Sequence, residues 1–157
     1  MAAAASITLL QQREIEARIV GPIFQAFAKE IGTERAKEIL AGVIQNLARQ
    51  GGCAAAQAIG SNGLGELGQA IETWRKGDAL TLDIIRRDAE SLEFDVTRCQ
   101  FAEMYRRLGL EDLGAILSCN RDAAMIEGFN PDLELTRTQT LMEGASHCDF
   151  RYRTNPV

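Results

Sequence analysis

The spacing of apolar residues first changes at Gly77, and this change limits the possible folds more than any other feature. Before Gly77, apolar residues recur at the period of an α-helix. After it, Leu80, Leu82 and Ile84 alternate with polar or small neighbours, as in a strand. The pattern predicts an α+β fold. A helical N-terminal half is expected to pack on a small antiparallel sheet of about four strands, built from two hairpins in the C-terminal half.

Three helices are predicted in the first half of the chain. The first covers 9–31 and contains Pro22, where a kink or a break is expected because proline cannot donate the helical hydrogen bond. Thr33 is a candidate N-cap for the second helix, which Gly51-Gly52 is expected to end. The third helix is predicted over 64–76.

The second half is predicted to contain two hairpins separated by two helices. The predicted elements are strands near 80–84 and 92–96, helices over 101–108 and 111–119, and strands over 133–142 and 148–152. A chain of 157 residues is long enough for one domain with a substantial core. Residues 1–157 are therefore expected to form a single domain, with a helical part over about 8–76 and a sheet-plus-helix part over about 79–153.

The charge balance and the lack of long apolar runs argue against two classes of partner. The formal net charge is -5, whereas binding to nucleic acid or to anionic lipid needs a basic face. The apolar runs are far shorter than the ~20 residues that span a bilayer. The start, Met1 to Ala5, lacks the basic and long apolar regions of a signal peptide. We therefore expect a cytoplasmic protein whose four cysteines are reduced.

Cys119 and Asp122 are the first pair of residues that could carry chemistry. If their segment is helical, a spacing of three places both on one face. The carboxylate could then exchange a proton while the thiolate attacks a substrate or binds a soft metal. The alternative is a buried cysteine at a helix end, with Asp122 as a surface acid or as the next N-cap.

A second candidate segment holds the only histidine, His147, followed by Cys148 and Asp149. Neighbours on a strand point to opposite faces, so Cys148 would lie on the apolar face and the other two residues on the polar face. One histidine argues against a Ser-His-Asp triad or a His-rich zinc site, and the lack of a C-x-x-C pair argues against a zinc finger. A thiolate–metal site formed by Cys119, Cys148 and Asp122 stays open, as does a plain buried cysteine.

Arg137 lies on the apolar face of a predicted strand, where a charge needs a partner. Its guanidinium could bind a substrate carboxylate through two parallel hydrogen bonds, or it could form an internal salt bridge to Glu103 or Asp149. Glu103 is itself a candidate acid or base. The alternative for Glu103 is a carboxylate on a solvated helix face.

Several short segments of the second half resemble the L-2-amino-thiazoline-4-carboxylic acid hydrolase family. The likeness spans about residues 92 to 153. The segments that carry it are 101–109 (FAEMYRRLG), 119–122 (CNRD), 129–131 (FNP), 137–141 (RTQTL) and 144–151. The resemblance implies a hydrolase acting on carbon–nitrogen bonds of a cyclic amidine, which it opens to an N-carbamoyl amino acid. It implies a small-molecule substrate and no organic cofactor.

The residue types also suggest roles in that chemistry. The candidate catalytic residues are Cys119, Asp122, Cys148, Asp149 and Glu103, and the candidate substrate-binding residues are Arg137, Asn130 and Thr140. In one route Cys119 attacks the ring carbon and a carboxylate carries the proton. In the other route a carboxylate activates water while the cysteines only shape the pocket.

Two other functions stay open from the sequence. The same residues could form a module that binds a small ligand or a metal without turnover. The amphipathic N-terminal helices could instead pair two or more copies of the chain as a homo-oligomer.

Overall fold

The computed structural model of the chain describes residues 6–155. The start of the chain, on which the expectation of no signal peptide rests, lies outside these residues. The helices and strands are α1 (Leu9–Ile31), α2 (Thr33–Ile59), α3 (Leu64–Trp74), β1 (Leu80–Arg87), β2 (Ser91–Cys99), α4 (Gln100–Arg107), α5 (Glu111–Gly114), α6 (Arg121–Phe129), β3 (Leu133–Thr136) and β4 (Cys148–Thr154). A π-helical turn, Ala115–Cys119, precedes α6, and a 3-10 turn, Leu141–Glu143, precedes β4.

The four strands form one antiparallel sheet in the order β1-β2-β4-β3. Asp88 closes the first hairpin, because its carboxylate accepts hydrogen bonds from the backbone N–H groups of Glu90 and Ser91. β4 lies between β2 and β3 and pairs with both. The predicted α+β fold, with helices packed on a four-stranded antiparallel sheet, is confirmed.

The inner face of the sheet forms the floor of the core. Phe94 on β2 and Phe150 and Tyr152 on β4 are buried there, with ring centroids 5.0 to 6.0 Å apart. Leu67 of α3 and Phe129 of α6 are buried in the same cluster. Each large apolar side chain removed from water contributes about 1.5–3 kcal/mol, so this layer holds the helices on the sheet.

α2 runs without a break through Gly51-Gly52, so the prediction that this pair ends the helix is wrong. A Cβ added at Gly52 would overlap the carbonyl oxygen of Met125, and one added at Gly128 would overlap the carbonyl oxygen of Arg49. The two glycines therefore let the backbones of α2 and α6 touch. This contact offsets the helix stability lost at a glycine, which is about 1 kcal/mol relative to alanine.

α1 continues through Pro22 as one helix, so the expected break does not occur. Its inward side carries the small residues Ala17 and Gly21, which are buried. Its large apolar residues face outward and are 45% to 59% exposed; we call them the α1 stripe, and they are Ile15, Ile19, Ile23, Phe27 and Ile31. No helix within residues 6–155 combines the length and the hydropathy needed to cross a bilayer.

The chain leaves the sheet at the end of β3, whereas the sequence predicts a strand up to Met142. The Asp149 carboxylate accepts hydrogen bonds from the backbone N–H groups of Thr138 and Gln139, each at 2.9 Å. These N–H groups are bonded to a side chain and not to a neighbouring strand. The segment therefore turns out of the sheet, and Arg137 reaches α6.

Candidate functional site

A cavity of about 930 Å³ lies between the helices and the inner face of the sheet. α1, α2 and α3 line one side, and β2, β4 and the start of α6 line the other. Most of the wall is apolar and includes Trp74, Phe94 and Phe150. Small-molecule sites commonly have volumes of about 300–1,000 Å³, with an apolar wall and a few polar groups at fixed positions.

Four of the residues singled out from the sequence meet on the wall of this cavity: Cys119, Asp122, Arg137 and Cys148. Arg137 forms an ion pair with Asp122, and its Nη2 donates a hydrogen bond to the carbonyl oxygen of Cys119 at 3.2 Å. Its guanidinium lies 5.3 Å from the centroid of the Phe150 ring, within cation–π distance. The partner of Arg137 is thus Asp122 and neither of the two acids considered from the sequence.

A π-helical turn positions Cys119 and Asp122. Asn120, between them, donates a side-chain hydrogen bond to the Ala41 carbonyl oxygen at 3.2 Å and accepts one from Gln45 at 2.9 Å, both on α2. Single π turns are rare and frequently occur at functional sites. These two bonds fix the start of α6, whose first turn carries Asp122.

Asp122 is a mostly buried carboxyl group, with 19% of its side chain exposed. Burial raises the pKa of Asp122 to about 6, and the positive charge of Arg137 acts in the opposite direction. A carboxyl group with a pKa near neutrality can accept a proton from water and return it to a leaving group. The acidity of Asp122 therefore suits proton transfer.

Three thiols line the cavity and are protonated at neutral pH. Burial raises the pKa of Cys99 to about 11, and it also raises the pKa of Cys119 and of Cys148. The Leu141 N–H, which donates to Cys148 Sγ at 3.2 Å, opposes the effect of burial on that thiol. The thiolate and not the thiol is the nucleophile, so these side chains are poorly suited to direct attack on a ring carbon.

Asp149 and Glu103 do not line the cavity. The Asp149 carboxylate accepts a hydrogen bond from the Thr138 hydroxyl at 2.6 Å. Burial acts to raise the pKa of Asp149, but hydrogen bonds from Thr138 and Gln139 together lower it. The hydrogen bond from Arg98 lowers the pKa of Glu103, and this pair lies on the surface. Both carboxylates are thus bonded to partners outside the cavity.

Asn130 and Thr140 also lie outside the cavity lining. The Asn130 side chain donates to the Asn62 carbonyl oxygen at 3.0 Å and accepts from the Asp132 N–H at 2.8 Å. Thr140 is buried, and its hydroxyl accepts from the Glu143 N–H at 3.2 Å. These contacts hold the turn after α6 and the 3-10 turn before β4.

The sequence analysis missed a second group of charged residues on the cavity wall: Arg13, Glu16 and Arg121. Glu16 bridges the two arginines, at 2.8 Å from Arg13 and 3.4 Å from Arg121. In the sequence, Arg13 and Glu16 look like polar surface residues between large apolar ones. The signal for their position is the spacing of Ala17 and Gly21, which marks the side of α1 that packs inward.

No set of three or more His, Cys, Asp or Glu side chains within residues 6–155 is arranged to hold a metal ion. Cys119, Cys148 and Asp122 therefore do not form such a set. His147 lies near Asp95, with Nε2 at 3.7 Å from the carboxylate, and does not line the cavity.

The fold is similar to that of a known sensory domain. The crystal structure of the phenol-responsive sensory domain of the transcription activator PoxR with phenol matches with a TM-score of 0.56 at 12% sequence identity. The match covers 87% of this chain and 73% of that chain. At this level of identity the likeness concerns the fold alone. No match to the chain is found among curated protein sequences.

A family model described as L-2-amino-thiazoline-4-carboxylic acid hydrolase matches residues 12–152. This range extends well beyond the segments whose resemblance is visible by eye, and it includes both charged groups of the cavity wall. The chain therefore belongs to the L-2-amino-thiazoline-4-carboxylic acid hydrolase family.

Proposed function

We propose that the chain hydrolyses a small cyclic amidine of the 2-aminothiazoline-4-carboxylate type to an N-carbamoyl amino acid, with Asp122 carrying the proton. The observation that carries this proposal is the Asp122–Arg137 ion pair on the wall of a cavity of about 930 Å³. Membership of the family supports the reaction class.

The reaction needs one water and one proton carrier. Water adds to the carbon between the ring nitrogen and the ring sulfur, and Asp122 takes a proton from the water. The hydroxyl proton of the tetrahedral carbon then passes to the ring nitrogen as a carbonyl forms, the bond from carbon to sulfur breaks, and Asp122 returns its proton to the sulfur. One water is consumed, and the product carries a carbamoyl group and a free thiol, so the bond that opens the ring is carbon–sulfur and not the carbon–nitrogen bond that the resemblance implied. General acid–base help of this kind contributes about 10²- to 10⁴-fold to the rate.

Arg137 acts as a positioning residue in this mechanism. One of its terminal nitrogens bonds to Asp122 and the other to the Cys119 carbonyl oxygen, so the carboxylate is held in one orientation. Cys119 and Cys148 shape the pocket, because burial raises the pKa of each thiol and keeps it protonated.

The test is incubation with 2-aminothiazoline-4-carboxylate, with the ring-opened product measured by mass spectrometry. Asp122→Asn is expected to lower kcat/KM by about 10²- to 10⁴-fold, because the amide cannot accept the proton. The matched control is Asp95→Asn, since Asp95 also pairs with an arginine, Arg151, but lies outside the cavity lining. Full activity in Asp122→Asn would sink the proposed mechanism, and activity is expected to persist in Cys119→Ser.

A second candidate function is binding of a small ligand without turnover. Two observations favour it: the wall of the cavity is mostly apolar, and the fold is similar to that of a phenol-responsive sensory domain. In this case the cyclic amidine would be recovered unchanged. Cavity ligands would still raise the Tm, because a ligand that binds only the folded state stabilises it.

A further inference from the structure

Two arginines donate hydrogen bonds to one carboxylate at the end of the cavity that α1 and α6 line. Arg13 Nη1 donates to both carboxylate oxygens of Glu16, at 2.8 and 2.9 Å, and Arg121 Nη2 donates to one of them at 3.4 Å. The side chains of Arg13 and Arg121 are only 13% and 16% exposed. Two positive charges with little access to water are therefore neutralised by one negative charge.

The imbalance extends to the whole wall of the cavity. Its charged residues are three arginines and two acids, namely Arg13, Arg121, Arg137, Glu16 and Asp122. This excess of positive charge stands in a chain whose net charge is -5. Like charges repel strongly where water is scarce, and an anion placed between them relieves the repulsion. Burial and the charge of Arg13 both lower the pKa of Arg121, which agrees with a site that lacks negative charge.

The three arginines of the cavity wall differ in how many of their guanidinium nitrogens donate a hydrogen bond within residues 6–155. Arg137 has both terminal nitrogens bonded, to Asp122 and to the Cys119 carbonyl oxygen. In contrast, among the hydrogen bonds of residues 6–155, Arg13 uses only Nη1, and Arg121 leaves Nη1 without a partner. A carboxylate can take two parallel hydrogen bonds from a guanidinium or bridge two of them.

We infer that Arg13 and Arg121 bind the carboxylate of a small organic acid, whose apolar or heterocyclic body lies in the cavity between them and the Asp122–Arg137 pair. This inference rests on the proposed function, because it places the acid in the same cavity. In that reaction Arg13 and Arg121, and not Arg137, bind the carboxylate of the substrate, and the ring reaches Asp122. Acids are bound in preference to neutral molecules of the same shape. Anion binding by the two arginines does not itself require turnover.

Trp74 provides a direct readout, because it is the only tryptophan and lies on the cavity wall. Its fluorescence is titrated with benzoate and with benzamide, which have nearly the same size and differ in charge. Benzoate is expected to bind more tightly than benzamide. Arg13→Gln and Arg121→Gln are each expected to weaken benzoate binding about tenfold or more, and to leave benzamide binding unchanged.

Glu16→Gln gives a test of opposite sign, since removing the competing carboxylate frees both guanidiniums. Benzoate is expected to bind more tightly to this variant, a result that a merely structural role for the cluster would not produce. Arg18→Gln is the control on the same helix, because Arg18 is exposed and pairs with Glu14 outside the cavity lining. Equal binding of benzoate and benzamide, no binding of either, or weaker benzoate binding in Glu16→Gln would overturn the inference.

Failure of this inference can be told apart from failure of the proposed function. Benzoate contains no amidine, so its titration reports binding alone. Selective benzoate binding without ring opening of the cyclic amidine would uphold the anion site and sink the hydrolase. Ring opening with an unchanged KM for the carboxylate substrate in Arg121→Gln would sink the anion site and leave the hydrolase.

Discussion

Burial and a neighbouring guanidinium act on the charge of Asp122 in opposite directions, and burial has the larger effect. The pKa of Asp122 is raised to about 6, so its carboxylate becomes protonated as the pH falls through that value. A protonated carboxyl group cannot accept a proton from water. We therefore expect kcat/KM for ring opening to fall about tenfold per pH unit below pH 6 and to be level near neutrality.

The pH profile should be measured on kcat/KM, which reports groups of the free enzyme. Asp95→Asn should keep the same profile, because Asp95 is not part of the cavity lining. A profile that is flat through pH 6 would mean that another group accepts the proton.

Thiol reactivity gives a second prediction for single residues. Cys53 is exposed, whereas burial raises the pKa of both Cys119 and Cys148. Because the thiolate is the reactive form, an alkylating reagent at neutral pH should label Cys53 first and the two cavity thiols much more slowly. Mass spectrometry of digested protein locates the label, and Cys53→Ser protein should stay largely unlabelled over the same time. Rapid labelling of Cys119 would instead favour direct attack by its thiolate.

Only part of the site could be predicted from the sequence. Cys119 and Asp122 were placed together because a spacing of three is a local property of helices. The partner of Arg137 lies fifteen residues away and depends on where the chain leaves the sheet. That exit is controlled by hydrogen bonds that Asp149 accepts from the backbone of Thr138 and Gln139, a contact across a loop that no local pattern encodes.

The contact between α2 and α6 depends on glycine at two positions, and this gives a prediction at the scale of an element. A Cβ at Gly52 would lie 2.7 Å from the backbone nitrogen of Phe129, and backbone cannot move aside as a flexible side chain can. Gly52→Ala is expected to lower the free energy of unfolding by about 2 kcal/mol or more. Chemical denaturation with a far-UV circular dichroism signal measures the change.

The neighbouring glycine is a matched control in the same helix. Nothing lies within 4 Å of a Cβ added at Gly51. Gly51→Ala should therefore stabilise the protein by about 0.5 to 1 kcal/mol, because alanine favours the helix and restricts the unfolded chain. Equal effects of the two substitutions would contradict the close contact between the helices.

The same pair explains why the elements were only partly predictable. The first hairpin was predicted because alternation and its turn residues are local signals. The end of α2 was predicted wrongly because Gly51-Gly52 has the local signature of a helix stop, while Gly52 serves a contact with α6. Tertiary packing of this kind overrides local propensity.

At the scale of the molecule, the α1 stripe is a row of large apolar side chains spaced four residues apart on one helix. Exposed apolar rows of this extent are typical of contact surfaces. We expect the chain to self-associate through this surface, which light scattering on a sizing column would detect as a multiple of the chain mass. Ile19→Lys with Phe27→Lys should reduce it to a single chain without changing the circular dichroism spectrum. A wild-type protein that is strictly monomeric would remove the proposal.

The position of β4 has a consequence for how the protein is made. On the ribosome β3 emerges before β4, yet it has no partner in the sheet until the β4 segment follows. The same segment brings Phe150 beneath Arg137 and Cys148 to the cavity wall. Before this segment has left the exit tunnel, the cavity wall lacks Cys148 and Phe150. A chain stopped early would present the unpaired edge of β2, which invites association with other chains.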